Sequence, residues 1–406
     1  METYNLAQQK AIDSTAPNIV IKAPPGSGKT YTMVAAISHY LNNVSPKKVV
    51  AMTFTTKATE ELKSHFPLMN EQLDIATIHS WSYQQLEKLS AKYDFKIRLL
   101  QENAIVEILT PMLKERNIQK TALNSAYYFV LNNINTGLSD VLKQKLHLVK
   151  QDYQEYKRAR HLYDFTDLPL YLFTKLKDYN ETITGIDALF VDEFQDIDPV
   201  QLQVFDLVEV TKRFYIGDPD QSIYLFRGAC AEVFDSLQDF TTYELEINYR
   251  SYQEILDFAS TMKKMADDGL IKQIGQIDYV ERSHIKAERG FGGSVICINP
   301  PAMINYITHA DYYDPIEALR AELMLPYQFL CRTNKEVRQL QELGYALVST
   351  IHQAKGLEYD NVVVVDFELS SEEEINIAYV GLTRARNRLI TTDIKSIEKA
   401  TDKKIF

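Results

Sequence analysis

A chain of 406 residues exceeds one ordinary domain and implies two or three hydrophobic cores. With 45% hydrophobic and 24% charged residues, no apolar stretch near membrane-span length and no charged-then-apolar leader, the composition is that of a globular protein, expected in the cytoplasm and without a membrane partner. A formal net charge of −11 excludes a protein that coats nucleic acid by diffuse electrostatics, while leaving room for a narrow basic track with stacking rings drawn from 25 Tyr and 18 Phe.

Short β-branched runs alternate with helical stretches and predict strands at residues 19–23, 48–54, 188–192, 213–217, 294–298, 327–332 and 361–366. That alternation predicts parallel α/β sheets flanked by helices. Val362 to Val365 form an unbroken valine run, the pattern of a strand buried on both faces. Residues 82 to about 163 carry only helical periodicity and read as an insertion into the first sheet domain. Near residues 243–250 the chain passes to a second α/β domain. The three cysteines, Cys230, Cys297 and Cys331, lack metal or redox spacing and read as packing residues.

Within the first predicted strand-to-helix junction lies Ala23-Pro24-Pro25-Gly26-Ser27-Gly28-Lys29-Thr30. A glycine-rich turn opening a helix aims backbone N–H groups at phosphate oxygens; Lys29 adds a mobile positive charge and Thr30 a hydroxyl for magnesium. Ala23 stands where the general pattern has its first glycine. Far downstream, Phe190-Val191-Asp192-Glu193-Phe194-Gln195-Asp196 ends an apolar strand in acids, Asp192 suited to holding magnesium and Glu193 to orienting or deprotonating an attacking water. Gln221 comes after a further strand in a run of turn formers, placed to sense a terminal phosphate. Together these segments predict hydrolysis of a nucleoside triphosphate with Mg2+.

Taken in order, further segments resemble the motifs of the UvrD/Rep/PcrA-type superfamily 1 DNA helicases over nearly the whole chain. Asn5-Leu6-Ala7-Gln8-Gln9 is similar to the family's adenine-reading segment, with Gln8 as the reader. Thr53-Phe54-Thr55 and Ala76-Thr77-Ile78-His79-Ser80 resemble two strand-contacting motifs. Thr53, Phe54, Thr55, Thr77 and His79 would thus touch nucleic acid. In Gln221-Ser222-Ile223-Tyr224-Leu225-Phe226-Arg227, Tyr224, Phe226 and Arg227 would join them, Phe226 standing where relatives usually have a stacking tryptophan. Leu245-Glu246-Ile247-Asn248-Tyr249-Arg250-Ser251 resembles the motif whose tyrosine stacks on adenine and whose arginine reaches phosphate, roles that fall to Tyr249 and Arg250. From Thr350-Ile351-His352 to Lys355-Gly356-Leu357-Glu358 the chain resembles the motif joining the strand track to the nucleotide, which implies Thr350 and His352 near DNA, Glu358 near ribose and Gly356 among the nucleotide-binding residues. Arg384, in Gly381-Leu382-Thr383-Arg384, would be a second arginine finger. Pro25, Gly26, Ser27, Gly28, Lys29, Thr30 and Tyr31 complete the ATP-binding set.

The resemblance implies two RecA-like P-loop NTPase domains: residues 1–82 with 164–240, carrying a reduced helical insertion at 83–163, and 241–406, which lacks the large subdomain known as 2B. Asp164-Phe165-Thr166-Asp167-Leu168 matches an Asp-Phe-Asp-Asp-Leu motif except that Thr166 replaces one acid. The activity so implied is that of an ATP-dependent motor on single-stranded DNA, moving 3′ to 5′, with ATP hydrolysed where the domains meet, unwinding forked or tailed duplex as a monomer alongside replication or recombination proteins. An ATP-regulated single-strand binding or protein-displacement factor with little unwinding is the alternative, and a small-molecule kinase would leave the later motifs unexplained. No cluster of acids with a lysine suggests a nuclease.

Overall fold

The computed structural model describes residues 4–67, 71–118, 123–132, 139–224, 231–267, 280–298, 306–307 and 314–401; Phe226, Arg227 and Cys230 lie outside them. Two compact units divide the chain: Met1–Ile21, Thr30–Gly217 and Tyr224–Tyr243 in one, Lys22–Lys29, Asp218–Ile223 and Glu244–Phe406 in the other. The glycine-rich turn and the segment containing Gln221 thus cluster with the later unit rather than with the sheet from which they emerge.

In the first unit, β1 (Asn18–Lys22), β2 (Val49–Thr53), β3 (Leu73–Thr77), β4 (Ala188–Val191), β5 (Lys212–Gly217) and β6 (Thr241–Glu244) form one sheet in the order β3-β2-β4-β5-β1-β6. The β2–β3, β2–β4 and β4–β5 pairs are parallel, with Val49 opposite both Leu73 and Ala188. All five residues of β2 are buried, as a strand covered on both faces must be. Parallel strands bring their carboxyl ends to one edge, and there the chain places Phe54, Thr77 and Asp192. Helices α1 (Leu6–Ile12), α2 (Lys29–Val44), α3 (Thr56–Ser64), α4 (Ile78–Tyr93), α8 (Leu168–Asp178) and α9 (Pro199–Asp206) accompany the sheet. Trp81, Leu86 and Leu89 of α4 join Leu172 of α8 and Phe205 of α9 in its core. For that reason α4 runs on past residue 82, where the helical periodicity alone places the start of the insertion.

A separate core unites α5 (Glu102–Glu115), α6 (Leu123–Asn132) and α7 (Asp140–Arg160) through Leu109, Phe129, Leu146, Val149 and Tyr153. The insertion enters and leaves through one neck, where Leu100 N–H donates to Tyr163 O and Tyr163 N–H to Arg98 O. Below it, the ammonium group of buried Lys157 donates to Asp164 Oδ2 and to Asp167 Oδ2, each at 2.6 Å, and Tyr153 Oη donates to Asp164 Oδ2 at 3.0 Å. Burial alone would push Asp164 up, but the Lys157 charge and these hydrogen bonds hold it below the usual carboxylate range, while burial and the neighbouring Asp164 raise Asp167.

The second unit contains β7 (Ile247–Asn248) paired in parallel with β8 (Lys286–Ala287), and a sheet of β9 (Ser294–Cys297), β10 (Tyr306–Ile307), β11 (Gln328–Cys331), β12 (Val348–Thr350), β13 (Tyr359–Val365) and β14 (Ala385–Thr392). Its order is β10-β9-β14-β13-β11-β12, parallel except for β9–β10. Val362 to Val365 are wholly buried, and Cys297 and Cys331 are buried free thiols in strands of the same sheet. Helices α10 (Gln253–Asp267), α11 (Pro315–Glu322), α12 (Asn334–Glu342), α13 (Ile351–Ala354), α14 (Glu372–Leu382) and α15 (Ile394–Thr401) complete it. Between β11 and β12 the chain has room only for α12, started by a Thr333–Glu336 capping box.

Removing one member of a buried ion cluster strands the others in a low-dielectric interior. Lys157→Met is expected to lower the unfolding free energy by about 3–5 kcal/mol, measured by urea denaturation; a loss under about 1 kcal/mol would show that the two carboxylates are solvated without it.

Candidate nucleotide site and strand track

Strand β1 ends at Lys22 and α2 starts at Lys29, so the intervening residues must reverse the chain tightly. Gly26 and Gly28 do this at φ +67° and +80°, and Ser27 Oγ donates to Pro24 O at 2.7 Å. Lys29 Nζ donates to Ala23 O at 2.9 Å, its ammonium group folded over the turn. Glycines in the left-handed region, followed by a helix start, form an anion-binding nest.

The later unit fastens this turn. Asn248, fully buried, donates from Nδ2 to Pro25 O at 2.6 Å, and its Oδ1 accepts from the N–H groups of Arg250 and Ser251, each at 2.8 Å. Tyr249 N–H donates to Gly26 O at 2.8 Å. A Cβ on Gly26 would lie 2.7 Å from both Arg250 Cβ and Asn248 Nδ2, so no side chain fits there.

Asp192 is nearly buried at the end of β4, its Oδ1 accepting from Glu193 N–H at 2.9 Å. Glu193 holds φ +50°, and its carboxylate accepts from the Gln195 amide. Gly217 lets that amide approach, since a Cβ would meet Gln195 Oε1 at 2.4 Å. Thr30, in the first turn of α2, and Asp192 offer the hard oxygen donors that Mg2+ takes, so the donor chemistry fits the ion.

Gln221 lies in a buried polar chain. Its Nε2 donates to Asp218 Oδ2 at 2.6 Å, its Oε1 accepts from Arg384 Nη2 at 2.9 Å, and its backbone oxygen accepts from Lys355 Nζ at 3.1 Å. Arg384 is 1% exposed, and further donors of its guanidinium reach Val380 O and Leu357 O. The arginine that the sequence suggests as a second finger is therefore bonded to the amide that it suggests as a phosphate sensor. Arg250 Nε meets Glu358 Oε2 at 2.9 Å, and Arg386 also approaches that carboxylate. Gly356 holds φ +80°, and Tyr249 presents a side chain 41% exposed.

Several residues assigned from the sequence carry structural work instead of, or besides, ligand contact. Gln8 is buried, and its Oε1 accepts from Asn5 N–H in the capping box of α1, so that oxygen is already engaged. Thr53 is fully buried, its hydroxyl bonded to Thr59 Oγ1 at 2.6 Å and to Thr55 O, which keeps it from a phosphate on the surface. Thr55, Thr77 and Thr350 are the N-caps of α3, α4 and α13, each accepting a backbone N–H. Tyr31 packs against Tyr4 with ring centroids 5.0 Å apart. Phe54 stacks on Tyr224 at 5.0 Å and 26°, His79 on Phe165 at 5.4 Å and 19°, and His352 Nε2 lies 3.3 Å from Ile223 O.

Two residues of the site, Asn248 and Asp218, escape the motif-based reading. Their signal is an Asn or Asp at the end of a strand, where the short side chain bonds N–H groups two or three positions ahead; Asp218 does so to Asp220 N–H.

A glycine-rich turn between strand and helix, an acidic strand end and a buried glutamine–arginine pair define a P-loop nucleoside triphosphatase built on parallel α/β sheets. Comparison with known families narrows the class: residues 4–242 match the UvrD/REP helicase N-terminal domain and residues 345–391 the UvrD-like helicase C-terminal domain. The chain belongs to the UvrD/Rep family of DNA helicases, ATP-hydrolysing enzymes. It is 26% identical to a probable DNA helicase of Mycoplasma pneumoniae over 97% of this chain and 84% of that protein. Against DNA helicase II of Escherichia coli identity is 29%, over 64% of this chain and 40% of that protein; against the ATP-dependent DNA helicase Rep of Buchnera aphidicola it is 30%, over 64% and 44%. The chain thus spans less than half the length of those two relatives. No helix among the described residues is long and apolar enough to cross a membrane.

Burial pushes the Asp218 carboxyl up to about 6, with Lys29 opposing the rise and Asp220 adding to it. Below that pH Asp218 is protonated and becomes a poorer acceptor for the Gln221 amide. ATPase activity should therefore fall on the acid side with a midpoint near pH 6, and Asp218→Asn, neutral throughout, should flatten that limb in a pH–rate profile; an unchanged limb would assign it to another group.

Proposed function

We propose that this chain is an ATP- and Mg2+-dependent translocase on single-stranded DNA that moves 3′ to 5′ and separates forked or tailed duplex as it advances. The observation that carries this reading is the segment 221–224. At one end Gln221 bonds Arg384; at the other, Ile223 O meets His352 and the Tyr224 ring stacks on Phe54. Four consecutive residues join a phosphate-sensing amide to a base-stacking ring. A change in charge at Gln221 is transmitted along a backbone too short to absorb it, which favours coupling of ATP turnover to grip on the strand.

Each group takes a role suited to its chemistry. Gly26, Ser27, Gly28 and Lys29 cradle the phosphates, Thr30 and Asp192 hold Mg2+, Glu193 orients or deprotonates water, and Arg250 and Arg384 stabilise charge on the transferring phosphoryl. Bound there, Mg2+ would offset charge on the phosphate oxygens. Residues 1–82 with 164–240 and residues 241–406 form the two RecA-like domains in this reading, with 83–163 as the helical insertion. A second reading, ATP-regulated strand binding or protein displacement with little unwinding, draws support from the short β11–β12 connection, which holds only α12.

Lys29→Ala is expected to reduce single-strand-stimulated ATP turnover by at least about 100-fold, since it removes the charge that meets the phosphates; near-normal turnover would refute the assignment. With the unaltered chain, ATP-dependent opening of a fluorescent fork bearing a 3′ tail supports the helicase, whereas stimulated ATPase without opening supports the second reading.

A further inference from the structure

Gln221 ends the short turn Pro219–Gln221, and the residue before it, Asp220, carries a carboxylate that meets Lys263 of α10, Nζ to Oδ1 3.4 Å. We propose that Lys263 is a positioning residue for ATP hydrolysis: its ammonium group pins the turn that carries Gln221 to α10, the helix that follows Arg250 and Ser251. This rests on the reading of Gln221 as the phosphate sensor and adds the strut that steadies it.

Three observations carry the inference. Lys263 is a fixed charge rather than a solvated one: its side chain is 15% exposed, against 51% for Asp220 and 44% for Asp267, whose Oδ2 accepts from Nζ at 2.9 Å. Burial works against the ammonium charge, yet Asp220 and Asp267 outweigh it and hold Lys263 above the usual lysine range. A cation in that place is costly unless carboxylates are brought to it, so the contact constrains Asp220 more than a surface pair would. The helix beneath is a firm base, with Ile255, Leu256, Phe258, Ala259 and Met262 buried and Ser251 Oγ donating to Ala385 O at 2.6 Å just ahead of it. Finally, on this flank the turn borders a cavity of about 440 Å3 whose wall includes Asp220, Lys263, Lys264 and Tyr379. Open space offers no packing to resist movement there, whereas the ion pair in its wall does. Asn376 Nδ2 to Ser222 O, 3.2 Å, and Lys355 Nζ to Gln221 O, 3.1 Å, tie the trailing end of the turn, and Lys263 ties its middle. A loosened turn would misplace the Gln221 amide in the hydrolytic step while leaving the phosphate cradle of Gly26, Ser27, Gly28 and Lys29 as it is. The signature is a lower kcat at an unaltered KM.

Steady-state ATPase kinetics of the full chain with a saturating single-stranded oligonucleotide test this, at about pH 8, where Asp218 is ionised. Lys263→Met keeps an apolar stem and is expected to lower kcat about tenfold with KM for ATP held within about twofold, and Lys263→Arg, which keeps the charge, to recover kcat to within about threefold of the unaltered chain. Asp220→Asn, a change on an exposed side chain, should lower kcat about as much, and combining it with Lys263→Met should cost no more, because both remove one contact. It also supplies the same readout should Lys263→Met misfold. A kcat within about twofold of the unaltered chain in Lys263→Met, a change confined to KM, or no recovery with arginine would overturn the strut. Gln221→Ala separates the two readings: if it turns ATP over normally, the sensor reading falls and the strut with it; a slow Gln221→Ala beside a normal Lys263→Met sinks the strut alone.

Discussion

One side chain, Asn248, sets the geometry on which the nucleotide site depends. Its amide holds Pro25 O while its oxygen gathers the backbone N–H groups of Arg250 and Ser251. Tyr249 N–H then reaches Gly26 O, so the phosphate turn and the arginine segment are joined directly in one hydrogen-bond system. Fully buried, Asn248 cannot exchange these partners for solvent without a large desolvation cost. The closeness also explains Gly26: any Cβ would collide with Asn248 or Arg250.

The same economy of contact appears at Gln221. A glutamine has an acceptor oxygen and a donor nitrogen at its tip, and here Asp218 and Arg384 take opposite ends of that amide. In the reading of Arg384 as a finger, this wholly enclosed side chain must either leave Gln221 or carry it along to act on phosphate, which gives the pair two discrete arrangements, the usual physical basis of a switch.

Much of the architecture is legible in the sequence because parallel strands covered on both faces leave unbroken apolar runs, as in Val49 to Met52 and Val362 to Val365. Where that signal fails, strands escape detection. In β14, Arg386, Asn387 and Arg388 break the run before its last four residues become buried, and β12 has only three residues. The extent of α4 is hidden because periodicity does not reveal that Leu86 and Leu89 face the sheet's core. In the site, the phosphate turn is readable since its chemistry is local in sequence. The work of Gln8, Thr53, Thr55, Thr77 and Thr350 is not, because a cap or a buried hydroxyl bond looks the same in sequence as a ligand contact. Asn248 is hidden for a related reason: its partner Pro25 lies 223 positions away.

The neck at residues 98–100 and 163 sets the helical insertion apart in a different sense. Both ends of a long excursion are pinned side by side by backbone hydrogen bonds, and the excursion has an interior of its own. Loop-closure entropy grows only slowly with length, so a longer or shorter helical module would cost the host sheet little, provided that it keeps the bonds that Tyr153 and Lys157 make to Asp164 and Asp167. The neck thereby makes this region an interchangeable cartridge, able to diverge in size and surface while the ATP-hydrolysing framework stays under its own constraints.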